Sequence, residues 1–285
     1  MPANSSPDAA DLLPASFARL ASFITSELGI KMPDAKMTMI QSRLLRRVRD
    51  LGLRSVDEYS QYFFASQNDA EREHFINAVT TNKTDFFREP SHFDYLLGIA
   101  LPELARGGEL RPGRRLNVWS AGCSSGEEPY TLAMLLSEYG ERQTGFDFAI
   151  LATDVSTRVL DRARAGVYQE SQIAPVPMEL RRRHLWRSRN KGQSLVRIAP
   201  RTRGHVSFHR LNFMDQDYGL RQMFEVVFFR NVLIYFDRPT QEMVIRRMCR
   251  NLVPGGYLFV GHSESLSGLD LPVDSVHTSV FRRRA

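Results

Sequence analysis

Cysteine is almost missing from the chain. Cys123 and Cys249 are the only two in 285 residues, too few for a disulfide framework, and no Cys/His cluster has zinc-binding spacing. A metal-free protein in a reducing compartment is expected. No apolar run approaches the ~20 residues that a membrane-spanning helix needs, so no membrane insertion is expected. The opening MPANSSPDAADLLPAS lacks the basic-then-apolar order of a secretory signal. Residues 1–14 read as a flexible tail, and the location as cytoplasmic. Strand signals are missing before residue 115, and the G-x-G-x-x-G dinucleotide fingerprint is missing from the first strand-to-helix turn.

Acid is missing from one helix. Between Lys36 and Asp50 stand Lys36, Arg43, Arg46, Arg47 and Arg49, with no carboxylate among them. A net charge of +6 favours an acidic partner; nucleic acid, an acidic protein face and a membrane surface all fit that charge.

What is present divides in two. Residues 15–88 read as helices. Phe17, Leu20, Ile24 and Leu28 recur at helical spacing until Gly29. A second helix is expected after Asp34 as N-cap and ends at Gly52, with Met37, Ile40, Leu44, Val48 and Leu51 on its apolar face and Arg46 opposite. Ser55 with Glu58 forms a capping box for a third helix, and Asp69 is the expected cap of a fourth. A further helix is expected over 91–105. From residue 115 strands and helices alternate: strands at 116–121, 148–154, 205–211, 225–231, 257–262 and one near 275–283, helices at 128–139, 156–165 and 239–252. Such alternation predicts a mostly parallel, doubly wound sheet over 89–285. Residues 166–204 are too long for a simple connection. With Pro175, Pro177, the basic run RRRHLWRSRNKG and the alternating SLVRI, they read as an inserted subdomain of two or three antiparallel strands. The PGG of PGGYLFVG reads as a turn leading into the strand.

The crevice at the strand ends carries the chemistry. In LNVWSAGCSSGEEPYTLAML, Gly122 and Gly126 let backbone approach a ligand. The helix then opens on Glu127 and Glu128, which would repel a pyrophosphate. Asp154 ends the second strand, where an acid can take both hydroxyls of a ribose. Asn212 follows the third strand, where an adenine edge would lie, and the fourth ends in Arg230 and Asn231. These features describe a nucleoside site without phosphate. S-adenosylmethionine is such a ligand, and its cationic groups suit Glu127 or Glu128.

Five stretches, TTNKTDFFREPSHF (80–93), WSAGCSSGEEPYTLA (119–133), ATDVSTRVLDRARAGVY (152–168), RNVLIYF (230–236) and LVPGGYLFVGHSESL (252–266), resemble the chemotaxis receptor methyltransferases, the CheR family, in order and spacing. The resemblance covers nearly the whole chain after residue 15. It implies an all-α N-terminal domain and a Rossmann-like class I S-adenosylmethionine-dependent methyltransferase domain with a small inserted antiparallel subdomain. It also implies methyl transfer to glutamates on the cytoplasmic helices of chemoreceptors, with S-adenosylhomocysteine as product. By motif, Asn82, Thr84 and Arg88 reach the cofactor from the segment between the domains, and Glu128, Asp154, Asn212, Phe213, Arg230 and Asn231 complete its pocket. Arg88 and Tyr235 stand near the transferred methyl. Cys123 and Phe213 depart from the small and aliphatic residues the pattern favours. Arg43, Arg46 and Arg49 become the expected docking face for an acidic receptor helix, and a monomer is expected. A nucleic-acid methyltransferase is the first rival, but no N-P-P-Y-type motif or RNA-binding module is present. A non-catalytic cofactor-binding adaptor is the second.

Overall fold

A computed structural model describes residues 12–66, 68–108, 113–188 and 192–284. They form two compact units, the first ending at Thr81 and the second starting at Asn82. No helix among the described residues is long and apolar enough to cross a membrane.

The first unit is helical. α1 (Pro14–Leu28) buries Phe17, Leu20, Ile24 and Leu28, and Gly29 closes it in the left-handed region at φ 69°, donating to Thr25 O. Residues 1–11 of the expected tail lie outside the described residues. Leu12 is buried and Pro14 already belongs to α1, so the tail does not extend to residue 14. Asp34 is not the N-cap of the second helix. It sits in a 3-10 turn, Asp34–Lys36, that runs into α2 (Met37–Asp50). α3 (Val56–Ser66) keeps half of its capping box: Ser55 Oγ accepts the Glu58 N–H, while Glu58 reaches past Ser55 to the Arg54 N–H. α4 (Asp69–Val79) is capped by Asn68, whose Oδ1 accepts from Ala70 and Glu71, and Asp69 is the first helical residue instead.

The basic helix is less uniform than its sequence. Arg47 pairs with Glu71, Nη2 to Oε2 at 2.5 Å, and the Tyr59 hydroxyl donates to Glu71 at 2.7 Å. Burial raises the Glu71 carboxyl, but the bonds from Arg47 and Tyr59 outweigh it and hold it below the ordinary value. That stabilisation is present above the unfolded carboxyl value and is lost as pH falls through the depressed folded one. Glu71→Gln should therefore destabilise this unit by about 1.5 kcal/mol, read by urea denaturation at pH 7. The difference from the parent should shrink on acidification; a constant difference down to pH 3 would contradict this assignment.

The second unit is an α/β sandwich. Its strands, in chain order, are β1 (Arg115–Ala121), β2 (Asp147–Asp154), β3 (Val167–Gln169), β4 (Leu185–Arg187), β5 (Leu195–Ile198), β6 (Val206–Arg210), β7 (Phe224–Phe229), β8 (Leu252–Val260), β9 (Val273–His277) and β10 (Val280–Arg283). The main sheet runs β6-β2-β1-β7-β8-β10-β9. It is parallel from β6 to β8, and β10 is antiparallel to both neighbours. Two expectations needed correction. The single strand near 275–283 is a hairpin, turned at Ser279 with φ 58°. The PGG stretch is not a turn but lies inside β8, where the register slips against Phe224–Val226.

Helices α5 (Ser91–Tyr95) and α6 (Leu101–Arg106), joined by a π turn over Leu96–Ala100, pack one face. Phe93, Phe228 and Phe259 stack there with centroids 5.8 and 4.4 Å apart. α7 (Glu127–Glu141), α8 (Thr157–Ala165) and α11 (Arg238–Arg250) follow β1, β2 and β7. The insertion holds α9 (Met178–His184), α10 (Pro200–Arg203) and three antiparallel strands in the order β3-β5-β4. Of its basic run, Arg183 pairs with Glu138 and Glu141 of α7, and His184 bonds Thr202 and Glu138 at 2.8 Å each. Residues 189–191 of that run lie outside the described residues.

The unit boundary falls before the expected 88/89. Residues 82–88 pack on the second unit because their bonds go there. Ser124 Oγ donates to Asn82 O at 3.0 Å, Phe86 stands edge-on to Tyr168 at 5.0 Å, and the Phe87 N–H reaches Thr131 Oγ1.

Candidate functional site

After β1 the chain crosses to β2 on one side, and β7 takes the other. A crevice opens beyond the C-terminal ends of strands at such a switch point. The turn Gly122–Gly126 forms its floor. Gly122 has φ 79°, and a Cβ there would come 2.6 Å from Val232 Cγ2; Gly126 has φ 97°, and a Cβ would meet Ala163 and the Tyr168 hydroxyl at 2.9 Å. Only glycine fits either place.

The acids around the turn are buried and committed. Asp154 accepts the Ser124 N–H on Oδ2 and the Ser156 N–H on Oδ1, each at 2.9 Å. Burial raises its carboxyl above the ordinary value, and these backbone donors offset part of that. Glu127 takes the Ser125 hydroxyl at 2.7 Å, and its carboxyl is likewise raised by burial. Glu128 takes the Ser120 hydroxyl and Arg230 Nε, both at 2.7 Å.

Arg230 is the hub. Its side chain is almost fully enclosed and lies over the rings of Phe93 and Phe228. Beyond Glu128, its Nη1 donates to the carbonyl of Arg88 at 2.7 Å and approaches Glu89 Oε2 at 3.5 Å and His92 Nδ1 at 3.1 Å. A guanidinium can only donate, so His92 Nδ1 accepts and its proton sits on Nε2. Burial first, then the charge of Arg230, pushes His92 down to about 4 and keeps it neutral. Phe87 and Glu89 flank Arg88 with φ 56° and 55°. This left-handed backbone is costly for non-glycine residues, and here it is held by the Arg230 bond.

The structure thus joins Asn82, Asp154 and the turn through Ser124, and Arg88, Glu128 and Asn231 through Arg230 and Glu89, whose Oε1 accepts Asn231 Nδ2 at 3.2 Å. Asn212 folds back, its Oδ1 accepting the Met214 N–H. Phe213 is buried against Phe229. Thr84 and Tyr235 are half-buried, Tyr235 in the 3-10 turn Leu233–Tyr235. Arg43, Arg46 and Arg49 belong to the other unit. There Arg43 is tied to Val79 O and Thr81, whereas Arg46 and Arg49 are exposed. Glu89, His92 and Glu264 went unread in the sequence, although Glu89 lies in TTNKTDFFREPSHF and Glu264 in LVPGGYLFVGHSESL. Glu89, His92 and His262 bring ligand atoms within 4.8 Å of one another, but Arg230 lies against two of the three and opposes a cation.

The arrangement suits a cationic nucleoside. The turn admits backbone contact, the Asp154 carboxylate keeps acceptor capacity beyond its N–H bonds, and the buried acids outnumber Arg230. Comparison with known proteins agrees. Residues 82–281 match the family described as CheR methyltransferase, SAM binding domain, and residues 15–80 the CheR methyltransferase, all-alpha domain. The chain is 39% identical to a chemotaxis protein methyltransferase of Salmonella typhimurium over 90% of this chain and 85% of that one. For the Escherichia coli protein of the same description the identity is 38%, over 90% and 86%. For chemotaxis protein methyltransferase 2 of Pseudomonas aeruginosa it is 37%, over 89% and 87%. The chain belongs to the CheR family of S-adenosylmethionine-binding methyltransferases.

Proposed function

We propose that this protein methylates glutamate side chains on the cytoplasmic helices of chemoreceptors, leaving glutamate methyl esters and S-adenosylhomocysteine, and that it works in the cytoplasm. The observation that carries this reading is the buried Arg230, which ties Glu128 of the acid-lined crevice to the backbone carbonyl of Arg88, whose own guanidinium donates to the Lys83 carbonyl at 3.1 Å. A glutamate with pKa about 4.3 is ionised near pH 7 and needs no base to act as nucleophile. Bound S-adenosylmethionine supplies a methyl on a cationic sulfur, which leaves as a neutral thioether. The protein's share is alignment and exclusion of water. Arg88 anchors the acceptor carboxylate, and Tyr235 orients donor or acceptor through its hydroxyl. Asp154 holds the ribose. Glu128 faces the cationic end, already balanced by Arg230. Asn82, Thr84, Asn212 and Phe213 close around the nucleoside.

Incubation with radiolabelled S-adenosylmethionine and a panel of receptor cytoplasmic fragments, RNA and DNA tests the reading. Label should enter receptor fragments and leave as methanol in alkali. Label in nucleic acid, or alkali-stable label in protein, would overturn it.

Docking is assigned to Arg46 and Arg49, because Arg43 is engaged within its own unit. The Arg46 side chain is 84% exposed, 3.9 Å from Asp50. Charge steering acts on association and is screened beyond about 8 Å at physiological salt. Arg46→Glu should lower kcat/KM for receptor methylation, flatten its salt dependence, and leave cofactor affinity and Tm at parental values. Parental rates with a parental salt slope would reduce α2 to a solvated face.

A further inference from the structure

The loop after β7 is held by a carboxylate from a distant part of the chain. Glu264 Oε2 accepts the N–H of Asn231 at 2.8 Å and of Gly261 at 2.6 Å, and Oε1 accepts the N–H of Ile234 at 3.3 Å. The residue is buried. Burial raises its carboxyl, and the N–H groups of Gly261, Asn231, Ile234 and Leu233 offset part of that. Gly261 makes the approach possible, since a Cβ there would stand 2.5 Å from Asn231 Nδ2 and 2.9 Å from Glu264 Oε2. Asn231 has φ 59°, and Glu89 holds its side chain from the other side. A left-handed asparagine gripped at both ends starts the loop, and Tyr235 ends it.

We infer that Glu264 is a positioning residue for methyl transfer, fixing the Asn231–Tyr235 loop and through it the Tyr235 ring. Its two oxygens divide the work. Oε2 secures Asn231 and Gly261 at the β7 end, and Oε1 secures Ile234 next to Tyr235. In a glutamine the single carbonyl oxygen goes to the pair of shorter bonds. The amide NH2 then faces the Ile234 N–H, donor against donor. Glu264→Gln thus loosens the Tyr235 end and spares the Asn231 end.

The kinetic half of this inference rests on the proposed methyl transfer; the structural half does not. Amide exchange over residues 231–235 should be about ten-fold faster at Ile234 and Tyr235 in Glu264→Gln, and unchanged at Asn231. Unchanged protection at Ile234 would overturn the inference whatever the enzyme's acceptor is. In the transfer assay Glu264→Gln should show about ten-fold lower kcat with KM for S-adenosylmethionine unaltered. In a Tyr235→Phe background the same substitution should change kcat little, because both act through one hydroxyl. Full additivity of the two substitutions, or a loss confined to KM, would make Glu264 a structural residue only.

Discussion

Arg230→Met is expected to abolish both cofactor binding and methyl transfer, and to destabilise the second unit by about 3–5 kcal/mol, the range for removing one partner of a buried ion pair. The guanidinium holds Glu128, the Arg88 carbonyl and His92 together and touches Glu89. Without it Glu128 keeps, among the described residues, the Ser120 hydroxyl alone, a poor return for burying a charge. The Arg88 carbonyl loses its donor, and the left-handed backbone at Phe87 and Glu89 is left to the Phe87 N–H on Thr131 and the Glu89 carboxylate on Asn231. Urea denaturation and calorimetry with S-adenosylhomocysteine measure the two losses. A second variant separates them. Arg230→Met with Glu128→Gln removes both charges and should recover much of the stability, since neutral replacement of a buried pair costs little. Binding and turnover should stay lost, because the Arg88 carbonyl still lacks its donor. Recovery of activity in the double variant would show that Arg230 only balances Glu128.

The hub explains which parts of the molecule are legible in sequence. β1 and β2 are apolar runs bounded by polar turns, and the structure extends each by one residue at its start. α1 repeats its buried residues at helical spacing, so its core and its end at Gly29 follow directly. The hairpin of β9 and β10 was not legible, because VHTSV alternates like one strand and Ser279 makes the turn without glycine. Asn68 displaced Asp69 as a cap by a single position, a choice that local preference does not make between two good cap residues. Arg47 with Glu71 and Glu264 with Asn231 are separated by 24 and 33 residues. Nothing at either position announces the partner. Motif resemblance pointed to Arg88, Glu128, Asp154 and Arg230, but not to the bonds of Arg230 with Glu128 and the Arg88 carbonyl, nor to those of Asp154 with Ser124 and Ser156. Glu128 and Asp154 read as ligand contacts in sequence, whereas in the fold both also brace the backbone and side chains that build the pocket.

That double duty sets the result expected for Asp154→Asn. S-adenosylmethionine and S-adenosylhomocysteine should both bind about 10–150-fold more weakly, corresponding to about 1.5–3 kcal/mol for hydrogen bonds to a charged acceptor. The amide can accept from Ser124 or Ser156 but not both, and its NH2 opposes the remaining N–H. A ribose bound at the same carboxylate would also lose an ionised acceptor. The pH profile tells the two contributions apart. Burial places the folded Asp154 value above the unfolded value of about 3.9. As pH falls through the folded value the native state takes up the proton before the unfolded chain does, so this group favours folding on the acid side. A ligand whose hydroxyls donate to the carboxylate needs the ionised form, so affinity should fall over that same interval. In the parent, then, cofactor affinity should drop with acid where this group's effect on stability is favourable, and in Asp154→Asn affinity should be weak and flatter with pH. Calorimetry from pH 7 downward measures the first, and chemical denaturation over the same range measures the second. Parental affinity in Asp154→Asn would remove the residue from the ribose site and leave it only as a brace for the Gly122–Gly126 turn.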